Sequence, residues 1–101
     1  MKAKNYINGE WKEGSLGTLE MINPSYNRNI GEIASSGKQD VDEAVSAARN
    51  AFDGEWGKTE AAERGRLLQQ TAEILKKHRD ELAEIESKDT GKPLSQARAD
   101  A

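Results

Sequence analysis

The sequence predicts an α+β fold, with two β-hairpins at the N-terminal end followed by three to four helices. Three observations carry it. Residues 4–36 hold most of the asparagines and aromatics, whereas residues 38–101 are rich in Ala, Glu, Lys, Arg and Leu. Asn8-Gly9 stands between two short half-apolar pairs, the strongest two-residue hairpin signal, because a type I′ turn needs φ > 0 at both positions. From Val41 onward the apolar residues recur at helical rather than strand spacing.

Taken in order, Tyr6-Ile7 and Glu10-Trp11 are the arms of the first hairpin. A looser stretch runs from Lys12 to Gly17. Leu19 and Met21 alternate with Glu20, the pattern of a half-buried strand. Asn23-Pro24-Ser25-Tyr26-Asn27 reads as a turn, since Pro removes a donor and pushes the residue before it out of the helical region. Ile30 and Ile33 mark the returning strand. Val41, Ala44, Val45, Ala48 and Phe52 then form one apolar stripe. Gly37 caps that helix, and Asp40 stands at N3, where a carboxylate favours the helix dipole.

Gly54 and Gly57, on either side of Trp56, break the first helix. Thr59 is the expected N-cap of the second, with Glu60 and Glu63 in its first turn and a stripe of Leu67, Leu68, Thr71, Ala72 and Leu75. Lys76-Lys77-His78-Arg79 marks a bend. Leu82 and Ile85 continue as a third helix, which Asp89-Thr90-Gly91 stops. Pro93 suits the first position of a fourth. That helix runs to Ala101 with neither a Gly cap nor a breaker, and reads as cut within a longer protein.

Composition bounds what these residues can form. Seven Leu, six Ile, two Val and one Phe make 16 of 101 residues, below the roughly 20% at which a self-sufficient core becomes doubtful. The net charge of −3 offers no basic face for nucleic acid. No apolar run approaches the roughly 18 residues of a membrane span, and the first residues lack the apolar centre of a signal peptide. The cytoplasm is the default compartment. There is no cysteine, so neither a disulfide framework nor a thiol nucleophile is present.

Motifs that invite chemistry do not survive inspection. Gly91-Lys92 suggests a phosphate loop, but Glu86 stands where that loop needs Gly, and Pro93 where it needs Ser or Thr. No GxGxxG dinucleotide fingerprint occurs. His78 lies among Lys and Arg and reads as solvated surface. The carboxylates are spread along helices as i,i+4 partners of Lys and Arg, and no two stand out as an acid–base pair. Trp11 and Trp56 sit beside turn signals and are expected to anchor those turns on the core.

Several segments together resemble the N-terminal signature of the aldehyde dehydrogenase superfamily. They are Tyr6-Ile7-Asn8-Gly9-Glu10-Trp11, then Ile22-Asn23-Pro24, then Asp40-Val41-Asp42-Glu43-Ala44-Val45 leading to Ala47-Ala48-Arg49-Asn50-Ala51-Phe52, and Asp89-Thr90-Gly91-Lys92-Pro93. Trp56 and Glu63-Arg64-Gly65-Arg66-Leu67-Leu68 fit between them. Order and spacing match from about residue 5 to residue 98, closest to the betaine-aldehyde and amino-aldehyde branch.

The resemblance implies a parent that oxidises an aldehyde to a carboxylic acid with NAD or NADP. A Cys thiolate attacks the aldehyde, a thiohemiacetal forms, hydride passes to the nicotinamide, and a Glu-activated water releases the acid. An Asn side chain and a backbone N–H hold the oxyanion. It implies a doubly wound α/β cofactor domain, a catalytic domain, an oligomerisation hairpin, and assembly as a homodimer or homotetramer. Residues 1–101 correspond to the outer part of the cofactor domain, so no catalytic or cofactor-binding residue can be assigned to them.

A monovalent cation, Na+ or K+, is the one site the resemblance brings partly within the chain, through the backbone carbonyls of Ile22 and Asp89. The rival reading is a free-standing, non-catalytic helical interaction module. Without nucleophile, base or oxyanion donor, the purified chain is expected to give no sustained nicotinamide reduction when mixed with an aldehyde and NAD. Steady turnover in that absorbance assay would overturn the assignment.

Overall fold

A computed structural model describes all 101 residues. Five strands come first: β1 (Lys2–Ala3), β2 (Asn5–Ile7), β3 (Glu10–Lys12), β4 (Thr18–Asn23) and β5 (Arg28–Ala34). Five helices follow: α1 (Lys38–Asp53), α2 (Glu55–Lys58), α3 (Ala61–Lys77), α4 (Arg79–Thr90) and α5 (Leu94–Asp100). β1, β5 and β4 form one sheet in that order, and β2 and β3 a separate two-stranded sheet. The chain divides into two compact units, Met1–Met21 with Gly31–Thr59, and Ile22–Ile30 with Glu60–Ala101. No helix is long and apolar enough to cross a membrane.

In the first unit the predicted hairpin closes at Asn8 (φ 53°) and Gly9 (φ 80°). Tyr6 faces Trp11 and Ile7 faces Glu10 across the ladder, and the two aromatic rings meet at 4.8 Å between centroids. β1 escaped the sequence reading because two residues carry no periodicity. It joins β5 in parallel, Lys2 opposite Glu32 and Ala3 opposite Ile33. The predicted second hairpin is β4–β5.

The start of α1 is set by one carboxylate. Asp40 Oδ2 accepts from the Gly37 N–H at 2.9 Å, the Ser15 N–H at 2.9 Å and the Ser15 hydroxyl at 2.6 Å. The Gly37 N–H is one a helix start leaves without an intrahelical partner, and the bonds to Ser15 tie the 13–17 loop to the helix. The same loop is laced to Ser35, which accepts from Leu16 N–H and donates to the Gly17 carbonyl. Lys12 reaches Glu43 at 2.8 Å, and Asn5 donates to the Ser36 hydroxyl at 2.7 Å. Ile7 is the buried aliphatic of this unit.

Several expectations need correction. α1, α3, α4 and α5 are the helices expected, and Glu55–Lys58 adds a single helical turn after Gly54. Thr59 does not cap α3. Its hydroxyl turns back to the Glu55 carbonyl at 2.8 Å, closing α2, and Glu60, in extended conformation, takes the cap position. Pro93 is the N-cap of α5, one residue before the position expected. The bend at His78 separates α3 from α4 as predicted.

The largest departure concerns burial. The stripes on α1 and α3 are helical as predicted, yet neither helix holds a buried residue. Val45, Phe52 and Leu68 are each more than half exposed. Trp11 and Trp56 stay exposed instead of anchoring turns on a core. Fully burying such a side chain contributes about 1.5–3 kcal/mol, and these helices leave most of that stabilisation unrealised.

The Asp40 carboxyl is held below the ordinary aspartate value by the Ser15 hydroxyl first, then by the Ser15 and Gly37 N–H groups, with desolvation opposing. A carboxyl lowered on folding contributes stability that is complete above its unfolded value and lost as pH falls through its folded value. Asp40→Asn is therefore expected to lower the urea midpoint at neutral pH, with the gap between variant and parent narrowing in acid. A gap that stays constant as the pH is lowered would show that the charge on Asp40 is not involved.

Candidate functional site

The most enclosed polar region lies within the second unit, where the β4–β5 turn meets the corner between α4 and α5. Asn23 builds the turn. It is 6% exposed, and its Oδ1 accepts from the N–H groups of Ser25 at 2.8 Å and Tyr26 at 3.3 Å. Its carbonyl accepts from the Asn27 N–H at 2.8 Å. An Asn side group standing in for backbone in this way is the usual reason for Asn in turns, and Asn27 at φ 51° uses the same residue type's tolerance of left-handed backbone.

The opposing corner depends on Gly91. It ends α4 at φ 75°, its N–H donating to the Ser87 carbonyl at 3.0 Å, the αL termination that glycine serves. Its carbonyl accepts from the Ser25 hydroxyl at 2.9 Å. A β-carbon there would stand 2.5 Å from Ser25 Oγ and 3.0 Å from Pro24 Cγ. The φ favours glycine, and a β-carbon would in addition displace the Ser25 hydroxyl from its bond to the Gly91 carbonyl. Ser87 donates to the Lys92 carbonyl at 2.8 Å. A cleft of about 330 Å³ lies between turn and corner, lined among others by Asn23, Ser25, Tyr26, Ser87, Lys92 and Pro93.

Lys92 Nζ sits between Glu86 at 2.5 Å and Asp100 at 2.7 Å. Its pKa is raised by Asp100 first and then by Glu86. The Lys92 ammonium is thus engaged by two carboxylates of its own chain. α4 and α5 pack through Ala83 and Ala97, both fully buried. Arg79 adds a guanidinium clamp on the Arg98 carbonyl, and Arg98 reaches Asp80 at 3.1 Å.

Ile22, the first predicted cation ligand, is the next-to-last residue of β4. Asp89, the second, lies in the last turn of α4 with its side chain exposed. Neither lines the cleft, but the Ser25–Gly91 bond brings their two segments into contact. The Asp89 carbonyl is one of the last four of α4, which a helix end leaves without intrahelical N–H partners. Its helical partner four residues on is Pro93, which has no N–H. The Gly91 N–H goes to Ser87 and the Lys92 N–H to the Thr90 hydroxyl. Carbonyl oxygens at a helix end are of the chemical type that a hard cation takes as ligands. No group of three or more His, Asp or Glu residues that could hold a metal occurs. His78 pairs only with Glu81, at the surface. No local signal in the sequence points to the Ser25–Gly91 bond or the double pairing of Lys92, which join residues 66, six and eight positions apart.

The aldehyde dehydrogenase family pattern matches residues 11–101, and the chain belongs to that family. It is 45% identical over 96 residues to an aldehyde dehydrogenase-like protein of Schizosaccharomyces pombe, covering 94% of this chain and 19% of that one. It is 39% identical over 97 residues to a betaine aldehyde dehydrogenase of Bacillus subtilis, covering 94% and 20%. A crystal structure of Staphylococcus aureus betaine aldehyde dehydrogenase in complex with NAD+ superposes with a TM-score of 0.90 at 39% identity, over 96% of this chain and 20% of that one. The chain thus spans about a fifth of the length of the relatives it matches.

Gly91→Ala is expected to destabilise the protein by at least about 1–2 kcal/mol, the cost of left-handed backbone for a residue with a β-carbon. Asn23→Ala should cost roughly 1–3 kcal/mol, because two N–H groups lose their acceptor. Urea unfolding followed by circular dichroism measures both. Midpoints equal to that of the parent sequence would show that the turn and the corner do not depend on each other as described.

Proposed function

We propose that this chain is the N-terminal part of the NAD(P)-binding domain of an NAD(P)-dependent aldehyde dehydrogenase, residues 4–36 giving the edge hairpins and 38–101 the first helices. One observation carries the reading: nearly the whole chain aligns with proteins of which it makes up only a fifth. The parent oxidises an aldehyde to a carboxylic acid through a cysteine thiohemiacetal, in the cytoplasm, as a homodimer or homotetramer. The thiolate must come from outside these residues, which contain no cysteine.

The nicotinamide cofactor accepts hydride in that reaction. Nothing in these residues fits its pyrophosphate: no glycine-rich loop occurs, and Lys92 is already paired with two carboxylates. Their role is to build the scaffold on which the cofactor-binding segments are carried. To that scaffold we assign one ligand, a monovalent cation held by the backbone carbonyls of Ile22 and Asp89, supported by the missing N–H of Pro93.

The full-length protein is expected to reduce NAD or NADP with an aldehyde substrate, betaine aldehyde among those tried. Failure with every aldehyde and both cofactors would overturn the enzymatic reading. The cation is tested separately, by the thermal midpoint of the full-length protein in sodium or potassium chloride against choline chloride at equal ionic strength. A higher midpoint in the alkali salts, diminished in Pro93→Ala, is expected. Equal midpoints would remove the cation and leave the enzyme assignment standing.

A further inference from the structure

We propose that Asn8 is a site of spontaneous deamidation, in which the Gly9 backbone nitrogen attacks the Asn8 side-group amide and the product loosens the first hairpin from α1. Both residues are exposed at the tip of β2–β3. Nothing lies within 4 Å of where a β-carbon on Gly9 would stand, so no side chain from elsewhere in the fold covers that face of the turn. The ladder pairs Asn5 with Lys12, Tyr6 with Trp11 and Ile7 with Glu10, and leaves both turn residues outside it.

The other asparagines are poorer sites. Asn5, Asn27, Asn29 and Asn50 precede Tyr, Arg, Ile and Ala, whose β-carbons and beyond crowd the nitrogen, and Asn23 precedes Pro24, which has no N–H. The hairpin can also open to let the Asn8 amide swing over the nitrogen. It is a two-stranded sheet of three-residue strands, separate from the other sheet, and such hairpins are marginally stable by themselves. Two exposed polar links, Lys12–Glu43 and Asn5–Ser36, hold its base.

In the reaction the Gly9 nitrogen gives its proton to solvent base and bonds to the Asn8 amide carbon. The bond from that carbon to the amide nitrogen breaks and ammonia departs, leaving a five-membered succinimide. Water then adds to one of the two ring carbonyls and opens the ring to an aspartyl or an isoaspartyl residue. One water is consumed, one ammonia is released, and nothing is oxidised or reduced.

Either product adds a carboxylate beside the cleft lined by Asn8, Lys12, Glu43 and Asn50, where it repels Glu43 and competes for Lys12. The isoaspartyl form also inserts a carbon into the backbone of a two-residue loop, which removes the register that sets Tyr6 against Trp11.

The test is incubation of the full-length protein at mildly alkaline pH, natively and in urea, with peptide mapping of residues 1–101 by mass spectrometry, ammonia assay and tryptophan fluorescence. Loss of Asn8 under native conditions is expected, with ammonia release and a fluorescence change, all faster at higher pH. Asn8→Gly, which accepts φ > 0 without strain, is expected to release less ammonia on the same timescale and to keep its fluorescence. Conversion in urea but not under native conditions would overturn the proposal by showing that the fold protects the site. Equal ammonia release from Asn8→Gly would overturn it by placing the reaction elsewhere.

Discussion

The turn at Asn23–Asn27 rests on the α4–α5 corner at a separation that only a glycine at position 91 allows. Ser25 Oγ would stand 2.5 Å from a β-carbon there, and the hydroxyl instead takes up the Gly91 carbonyl. The same residue ends α4 in left-handed backbone and so directs the chain into Pro93 and α5. One conformational freedom thus serves two ends: it terminates a helix and makes room for a turn distant in sequence. Asn23 answers from the other side, with both its oxygens accepting backbone N–H groups.

Around that junction, order comes more from hydrogen bonding and small-residue contact than from a large core. Ala83 and Ala97 bring α4 and α5 close without a bulky group between them, and no large side chain is fully buried. The ion pairs Lys38–Asp42, Glu63–Arg66 and Glu73–Lys76 lie on open helix surface, where such pairs contribute little beyond helix propensity. The carboxylate of Asp40 is more consequential, since it gathers three donors from a loop and a helix start.

Membership of the aldehyde dehydrogenase family gives this imbalance a physical sense. A segment that spans a fifth of its relatives' length can carry apolar helix faces without the partners to cover them. The chemistry proposed for the parent needs a thiolate, and these residues provide none. What they do provide is positioned backbone, in the turn and the corner.

Local features were legible because their causes are local. Asn8-Gly9 dictated a two-residue turn through the φ values both residues accept, and the register of Tyr6 with Trp11 followed. Asp40 three residues after Gly37, and Gly91 after Thr90, marked helix ends through backbone groups that need partners wherever the chain goes. The helical spacing of Val41 to Phe52 set a helix but could not say whether its face would be covered, because spacing records which residues share a side and not what lies opposite. Thr59 was read as opening α3 because a hydroxyl can bond forward or back along the chain, and only the extra turn of α2 decided between them. The contacts of Ser25 with Gly91, of Lys92 with Glu86 and Asp100, and of Ala83 with the α5 side of its pair belong to the tertiary structure alone. They depend on how the chain turns at residues distant in sequence, and no local preference encodes that.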